Sequence, residues 1–337
     1  MDERRAQVPG SLGLTPAQVE LLLTTAGRAP SLHNSQPWQF HVTARAIELH
    51  ADPRRSPEVA DPDGREMRMA CGAALFNLQL ALRGHAIRPI VTIFPDRGRP
   101  RLLAVVRHGG TKHQTPEQGD LLRAVPLWRT NRHPFADTPV DTAALHALRR
   151  AANDEGAWLH IVQDPAQRTS VRVIAARAHR EQSADPAFRA ELAAWTAAAP
   201  GRRDGVPARA GGAIPEAQDA WVRRDFTAGT GIERVPGKDF EQEPVIAVLS
   251  SHLSGPTAEV RVGEALERVL LTASVNGLAT SFLSHVVEVP HAREELRRLI
   301  GGTHPPQAVL RIGHGWPVGA TPRRDVSDLL TQEQAST

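Results

Sequence analysis

Ala-Pro-Ser-Leu-His-Asn-Ser-Gln-Pro-Trp, Ala29 to Trp38, joins the end of an amphipathic stretch to the start of an alternating one with almost no loop between. Pro30 and Pro37 fix φ at both ends of a short interval and push the residue before each toward extended backbone. The path between them is thereby preset. Ser31, Asn34, Ser35 and Gln36 carry short polar side chains beside main-chain N–H and C=O groups, while Leu32 and Trp38 supply apolar surface. The combination suits the polar rim and flat face of a heterocycle. An ordinary helix-to-strand turn uses the same residue types.

Upstream, Thr15-Pro16 predicts an N-cap followed by proline at the first helical position, and Val19, Leu22, Leu23 and Ala26 recur at helical spacing. Downstream, Trp38, Phe40 and Val42 alternate with Gln39 and His41 as a half-buried strand, and Ile47 to His50 follows as a second. A long helix is expected from Glu66 to Arg83, with Met69, Leu75, Leu78 and Leu82 on its apolar side and Gly84 as its C′ residue. Strands near Arg88 to Phe94 and Arg101 to Arg107 complete this half. The polar run from Gly109 to Gly119 reads as an exposed connection.

Parts of this order return. Asp141 to Ala152 reads as a helix bearing Leu145 and Leu148, Trp158 to Val162 resembles Trp38 to Val42, and a helix from Ala258 to Asn276 ends at Gly277 as its counterpart ends at Gly84. The recurrence points to a duplicated fold. In the second half the place of the opening turn is taken by A-A-N-D-E-G-A-W, without either proline. Further helices are expected over 164–184 and 187–199, a buried strand over Pro244 to Ser250, and the last core strand over Gln307 to Gly313. Pro200 to Pro215, rich in Gly and Pro, reads as a lid or as a surface insertion.

The chain has 337 residues with 41% hydrophobic content, enough to bury a large core. Its net charge of +3 arises from 40 Lys+Arg against 37 Asp+Glu. No basic stripe interleaved with aromatics appears, so no nucleic-acid partner is expected. No apolar run reaches the ~20 residues that span a bilayer, so no membrane role is expected either. The start, M-D-E-R-R-A-Q-V-P-G, is followed by no apolar signal-peptide core, and the single Cys71 fits a reducing compartment, so the cytoplasm is the expected location. The 15 His are dispersed and neither H-E-x-x-H nor C-x-x-C occurs, giving no support for a metal. Absence of G-x-S-x-G and of a strand-linked G-x-G-x-x-G argues against a hydrolase and a Rossmann domain.

A-P-S-x-x-N-x-Q-P-W-x-F resembles the signature of the nitroreductase superfamily of FMN enzymes, in which this turn approaches the isoalloxazine ring from the partner subunit of an obligate dimer. Arg129 to Phe135, R-T-N-R-H-P-F, with Asp137 and Pro139-Val140, is similar to the family's R-x-S-x-R-x-F-x-x-x-P-V. That segment is N-terminal in the family and late here, an order that resembles the Acg-type branch, where two nitroreductase-like halves are fused in one chain. Gly277 to His285 is similar to the family's G-L-G-T segment along the flavin edges, and Thr321-Pro-Arg-Arg-Asp-Val to the basic tail that closes on the phosphate.

The resemblance implies an α/β (α+β) nitroreductase-like fold, duplicated internally as a monomeric pseudo-dimer. An N-terminal arm is expected over 1–13, a first half over 14–110, a connection over 111–120, and a second half over 121–330 with the candidate lid at 200–215. One non-covalent FMN is expected, in a composite site, because each half keeps the motif that the other has lost. The residues implied for it are Pro30, Ser31, Leu32 and Asn34 at the ring, Leu283 and Ser284 along its edge, and Arg129, Arg132, Arg323 and Arg324 for the phosphate. Asn131 replaces the family's usual Ser and His133 a basic residue, and neutral His is a weaker stabiliser of reduced flavin. The implied activity is NAD(P)H-dependent reduction of small molecules such as nitroaromatics, quinones or flavins. The alternatives are a protein that holds FMN with little turnover, and a flavin-dependent oxidase or dehydrogenase of a specialised small molecule. No catalytic side chain is demanded, because the flavin N5 carries the chemistry.

Overall fold

The structure, a computed structural model, describes residues 8–197, 199, 201–216, 219–222, 224–227, 241 and 243–331. Most of the expected N-terminal arm and Pro200 lie outside the described residues. Helix α1 (Pro16–Ala26) starts at Thr15, whose side chain and that of Gln18 cap each other's backbone N–H groups. A single 3₁₀ turn, Leu32–Asn34, leads into strands β1 (Trp38–Thr43) and β2 (Ala46–Ala51). Helix α2 (Arg65–Gly84) and strands β3 (Ile87–Ile93) and β4 (Leu102–Thr111) follow. Gly84 is the last helical residue of α2 and not its C′ glycine; the left-handed residue beyond it is Ala86, at φ 57°. The expected connection carries helix α3 (Pro116–Ala124), with a capping box between Thr115 and Gln118 that the polar composition concealed.

The second half opens with α4 (Thr142–Asp154) and β5 (Ala157–Val162), then α5 (Pro165–Ala184) and α6 (Pro186–Thr196). Between α6 and β6 (Val245–Ser251) the one helix among the described residues is the short α7 (Ala208–Gly211), and α8 (Pro256–Val275) follows β6. Strand β7 (Ala279–Phe282), helices α9 (His285–Glu288) and α10 (Pro290–Leu299), strand β8 (Pro306–Gly313) and α11 (Val326–Leu329) complete it.

Two antiparallel four-stranded sheets result, in the orders β1-β2-β4-β3 and β5-β6-β8-β7, the same topology twice. The repetition extends to irregularities. The pairing of β2 with β4 shifts register between Leu49 and His50, and that of β6 with β8 between Leu249 and Ser250. Trp38 pairs with Ala51 as Ala157 pairs with Ser251, so the counterpart of Trp38 is Ala157 and not Trp158. Trp158 accordingly faces outward, 48% exposed, while Trp38 is fully buried. A slip of one residue in a strand exchanges the two faces, and similarity of composition alone does not detect it.

The halves are joined along α2 and α8, which cross with Gly72 against Gly263. A Cβ on Gly72 would stand 2.0 Å from the Val260 carbonyl oxygen, and one on Gly263 would stand 2.0 Å from that of Met69. Only two glycines allow the helices so close. Flanking this crossing, Asn77 Nδ2 donates to Glu267 Oε1 at 2.8 Å, Gln79 Nε2 to Glu264 Oε1 at 2.6 Å, and Arg68 pairs with Glu259. One apolar core lies between α2 and the first sheet, a second around α8 and the inner face of the second sheet, and a third between that sheet's outer face and α5, α9 and α10.

Candidate functional site

Between the two prolines the chain takes left-handed conformations at three non-glycine residues, His33 (φ 52°), Asn34 (φ 56°) and Gln36 (φ 54°). Such backbone is costly and persists where surrounding contacts over-determine it. Here the side chains supply those contacts. Asn34 Nδ2 donates to the carbonyls of Gly205 and Pro322, both at 3.0 Å, and its Oδ1 accepts from Arg323 Nη1 at 2.8 Å. Gln36 Nε2 donates to the Arg203 carbonyl at 2.9 Å, its Oε1 accepts from the Arg324 backbone N–H at 2.9 Å, and its own N–H donates to Ser31 Oγ at 3.0 Å. The turn is thus stapled to two distant segments, 203–205 and 322–324. Gln36 is spent entirely on that task and is fully buried.

The Arg-rich segment runs beside β7. Thr130 forms a parallel bridge with Thr280, the Asn131 N–H donates to the Thr280 carbonyl at 2.8 Å, and Trp128 Nε1 donates to Thr280 Oγ1 at 3.0 Å. This docking sends Arg129 and Arg132 into a cleft and turns Asn131 and His133 away from it. Asn131 Nδ2 donates to the Trp316 carbonyl at 2.9 Å and its Oδ1 accepts from the His133 N–H at 3.0 Å. The cation at this end of the cleft is therefore Arg132, one residue before the position that the family alignment selects. Arg132 Nη1 donates to the Ala210 carbonyl at 2.9 Å, and its guanidinium lies 4.3 Å from the centre of the Phe226 ring. Gly212, at φ 88°, lets the passing chain approach Arg132, where a Cβ would meet the Arg132 carbonyl at 2.7 Å.

The cleft opens to solvent and is lined from both halves. Of the residues expected at the site, Pro30, Ser31, Leu32, Asn34, Arg129, Arg132, Leu283, Ser284 and Arg323 line it, contributed by both halves. Asn131, His133 and Arg324 do not. Arg324 is occupied elsewhere, its Nη1 donating to the Gln36 carbonyl at 3.1 Å. Lining residues that the sequence reading passed over include His33, Glu66, Trp221, Arg224, Phe226 and His285. Aromatic residues amount to 4% of the chain, so Trp221 and Phe226 in a stretch without periodicity were the available signal.

Charge in the cleft is uneven. Arg129 and Arg323 lie close to each other and to Arg28; burial, then Arg28, lowers the pKa of Arg129, and burial, then Arg129 and Arg28, brings that of Arg323 down to about 10. Among the described residues neither makes an ion pair with a carboxylate, and the acid acting on Arg323, Glu267, is itself pushed up to about 8 by burial. Arg132 is likewise brought to about 10, by burial and then by Arg224. Arg224 is paired, its Nη2 reaching Glu288 Oε2 at 2.6 Å. His33 is 3% exposed, and neither ring nitrogen has a hydrogen-bond partner among the described residues. Burial, then Arg224 and Arg132, holds it well below its ordinary pKa, so the ring is neutral. No group of three or more His, Cys, Asp or Glu able to hold a metal ion occurs among the described residues.

An internally duplicated α+β chain with one composite, arginine-rich cleft defines a nitroreductase-like protein. No family model matches the sequence. The Mycobacterium tuberculosis (strain ATCC 25618 / H37Rv) protein named "Putative NAD(P)H nitroreductase Rv3131" is 31% identical over 323 residues, covering 93% of this chain and 90% of its own. That named "Putative NAD(P)H nitroreductase acg", from the same strain, is 30% identical over 323 residues, covering 94% and 96%. The chain belongs to this Acg-type nitroreductase family. Among solved structures, the FMN and NADPH-dependent nitroreductase NfnB from "sphigopyxis sp. strain HMH" is 17% identical, covering 63% of this chain and 98% of its own, with a TM-score of 0.41. That likeness is too low to bear on the site.

Proposed function

We propose that the chain binds one FMN non-covalently in the composite cleft and uses it to pass electrons from NAD(P)H to a small organic acceptor. The observation that carries this reading is the group Arg28, Arg129 and Arg323, mutually repelling and without a carboxylate partner among the described residues, which suits a dianionic phosphate. The names of the relatives, both NAD(P)H nitroreductases, support the electron donor. The strained turn from Pro30 to Asn34, with the neutral ring of His33, suits the uncharged face and rim of the isoalloxazine. When bound, the flavin supplies the two-electron chemistry. The chain's own residues then bind and tune it. Arg129 and Arg323 hold the phosphate, and Arg132 places positive charge where the ring gains negative charge on reduction. Leu283 and Ser284 follow β7 along one edge. Nitroaromatics, quinones and free flavins are the acceptors this reading favours.

A second reading, a protein that holds FMN with little turnover, draws on Trp221, Val222, Arg224 and Phe226, which line the cleft from residues 219–227. Trp221 is 3% exposed, so this segment restricts the room above a bound ring. The visible spectrum of the purified protein, followed by anaerobic addition of NADH or NADPH, decides between them. A flavin spectrum that bleaches within seconds supports the reductase, one that persists supports holding, and absence of flavin after reconstitution defeats both.

A further inference from the structure

Glu66 is the only carboxyl among the described residues that line the cleft. It stands in the first turn of α2, its side chain 14% exposed, and shares one face of that helix with Met69 and Ala70, which also line the cleft. One of its oxygens accepts from Arg65 Nη2 at 2.7 Å. The groups acting on it come from every element packed around it: Arg65 on α2, Asp61 in the loop before, Glu288 at the end of α9, Arg224 from the covering segment, and Arg293 on α10. Asp61 is committed to the helix terminus, accepting from the N–H groups of Glu66 and Met67 at 3.0 and 2.8 Å. Glu288 is committed to Arg224. Of these acids Glu66 is the one that lines the cleft.

Behind Glu66 lies a second cavity, lined by Asp61, Asp63, Arg65, Glu288, Arg293 and Glu294. Val287 lines both spaces, and Arg65, whose guanidinium holds Glu66, lines the second. Asp63 and Pro290 bring that second cavity to the surface, for both are exposed. The acid of the cleft is thus separated by Arg65 and Val287 from a polar cavity that opens to solvent and whose lining mixes Asp61, Asp63, Glu288 and Glu294 with Arg65, Arg293 and Arg297.

We propose that Glu66 is the proton donor of the cleft, protonating the organic acceptor as electrons reach it and being recharged from solvent through the cavity behind. The proposal rests on the FMN reading. Reduction of a p-quinone to the hydroquinone takes two electrons and two protons; a bound reduced flavin would supply both electrons with one proton, and the other would come from Glu66, whose carboxyl O–H breaks as the second O–H of the hydroquinone forms. The carboxylate left behind takes its proton back from water. Burial pushes Glu66 up to about 8, with Glu288 and Asp61 adding to the effect and Arg65 and Arg224 opposing it, so the acid is present in its protonated form at neutral pH. His33, held neutral, does not compete as a cationic acid.

The test uses the full chain loaded with FMN, NADH or NADPH as donor, and two acceptors: p-benzoquinone, which takes up protons, and ferricyanide, which takes electrons alone. The proposal expects Glu66→Gln to lower the quinone-to-ferricyanide rate ratio at least tenfold and to abolish the decline of quinone reduction as pH rises through about 8. Glu66→Asp, which keeps the acid, recovers part of the ratio and guards against a folding defect. Independently of turnover, the protonated-carboxyl infrared absorption of the resting protein should lose in Glu66→Gln one component that titrates near that pH, while the contributions of Glu264 and Glu267 remain. An unchanged ratio, or an unchanged infrared spectrum, overturns the proposal. Wild-type protein that reduces neither acceptor sinks the FMN reading and the donor role with it, an outcome distinct from both acceptors being reduced in the same ratio by wild type and variant.

Discussion

Gly72 and Gly263 are counterparts that touch: each sits at the middle of one central helix and faces the carbonyl of the residue three positions before the other. Neither helix has a side-chain cap at its start, α2 following Gly64 and α8 following Gly255, so their stability comes from this contact and from the cores on either side.

Replacing either glycine with alanine should therefore force the helices apart. Gly72→Ala and Gly263→Ala are each expected to destabilise the chain by about 2–3 kcal/mol, the scale of overpacking in a close-packed interior. Gly119→Ala in α3, where a Cβ would meet only the ends of Arg123 and Gln114 at 3.4 and 3.5 Å, should instead stabilise by roughly 0.5–1 kcal/mol. Urea unfolding of the three variants checks the opposite signs.

Phosphate binding gives a second comparison. Arg129→Ala and Arg323→Ala should each weaken FMN by about 1.5–3 kcal/mol, the range for a charge-assisted hydrogen bond. Arg150, exposed on α4, is the control, whereas its neighbour Arg149 is half-buried. Fluorescence titration with FMN measures all three, and equal losses at Arg129 and Arg150 would remove the phosphate assignment.

A third prediction separates two cations. Because Arg132 lines the cleft and His133 does not, Arg132→Gln should lower the two-electron midpoint potential of bound flavin by about 1.5–3 kcal/mol, or roughly 30–60 mV. His133→Lys should leave it within a few mV. Anaerobic redox titration against indicator dyes reads the difference, and a larger effect at His133 would restore the family alignment at that position.

Stability should fall as pH rises from about 4.5 to 8. Burial pushes Glu264 up to about 7 and Glu267 up to about 8 in the folded protein, whereas the unfolded chain titrates near the ordinary carboxyl value of ~4.3. Between those values the folded state binds more protons than the unfolded one. Each group therefore removes at most about 1.4 kcal/mol of stability per pH unit as pH rises, and nothing further once the folded pKa is passed. Glu267→Gln keeps the amide partner of Asn77 without the titration, so its urea midpoint should depend less on pH than that of the wild type.

What could be read beforehand was whatever repeats or caps. The helix at Thr15-Pro16, the long helices ending near Gly84 and Gly277, and the six-residue bracket between Pro30 and Pro37 all announce themselves through local chemistry. The one-residue offset between Trp38 and Trp158 is set by pairing with β2 and β6, distant in sequence, and no local pattern specifies it. Arg132 rather than His133 faces the cleft because Asn131 is tied to Thr280 and Trp316, again a long-range fact. The covering residues Trp221 to Phe226 obey no period. Glu66 reads in sequence as an ordinary acid in the first turn of a helix, and Glu288 and Arg224, which the fold brings beside it, are far off in sequence.

Carrying both halves on one chain has a consequence for how the protein can change. In a two-fold symmetric pair every substitution appears twice, so a residue that improves one site must be tolerated in the other. Here position 33 and position 132 each occur once. Gly72 and Gly263 have both stayed glycine, since one crossing needs the two of them, but the prolines and the arginines of the cleft have no such obligation to their counterparts. Each residue of the cleft can thus change without a matching change elsewhere, and dilution cannot take a site built within one chain apart.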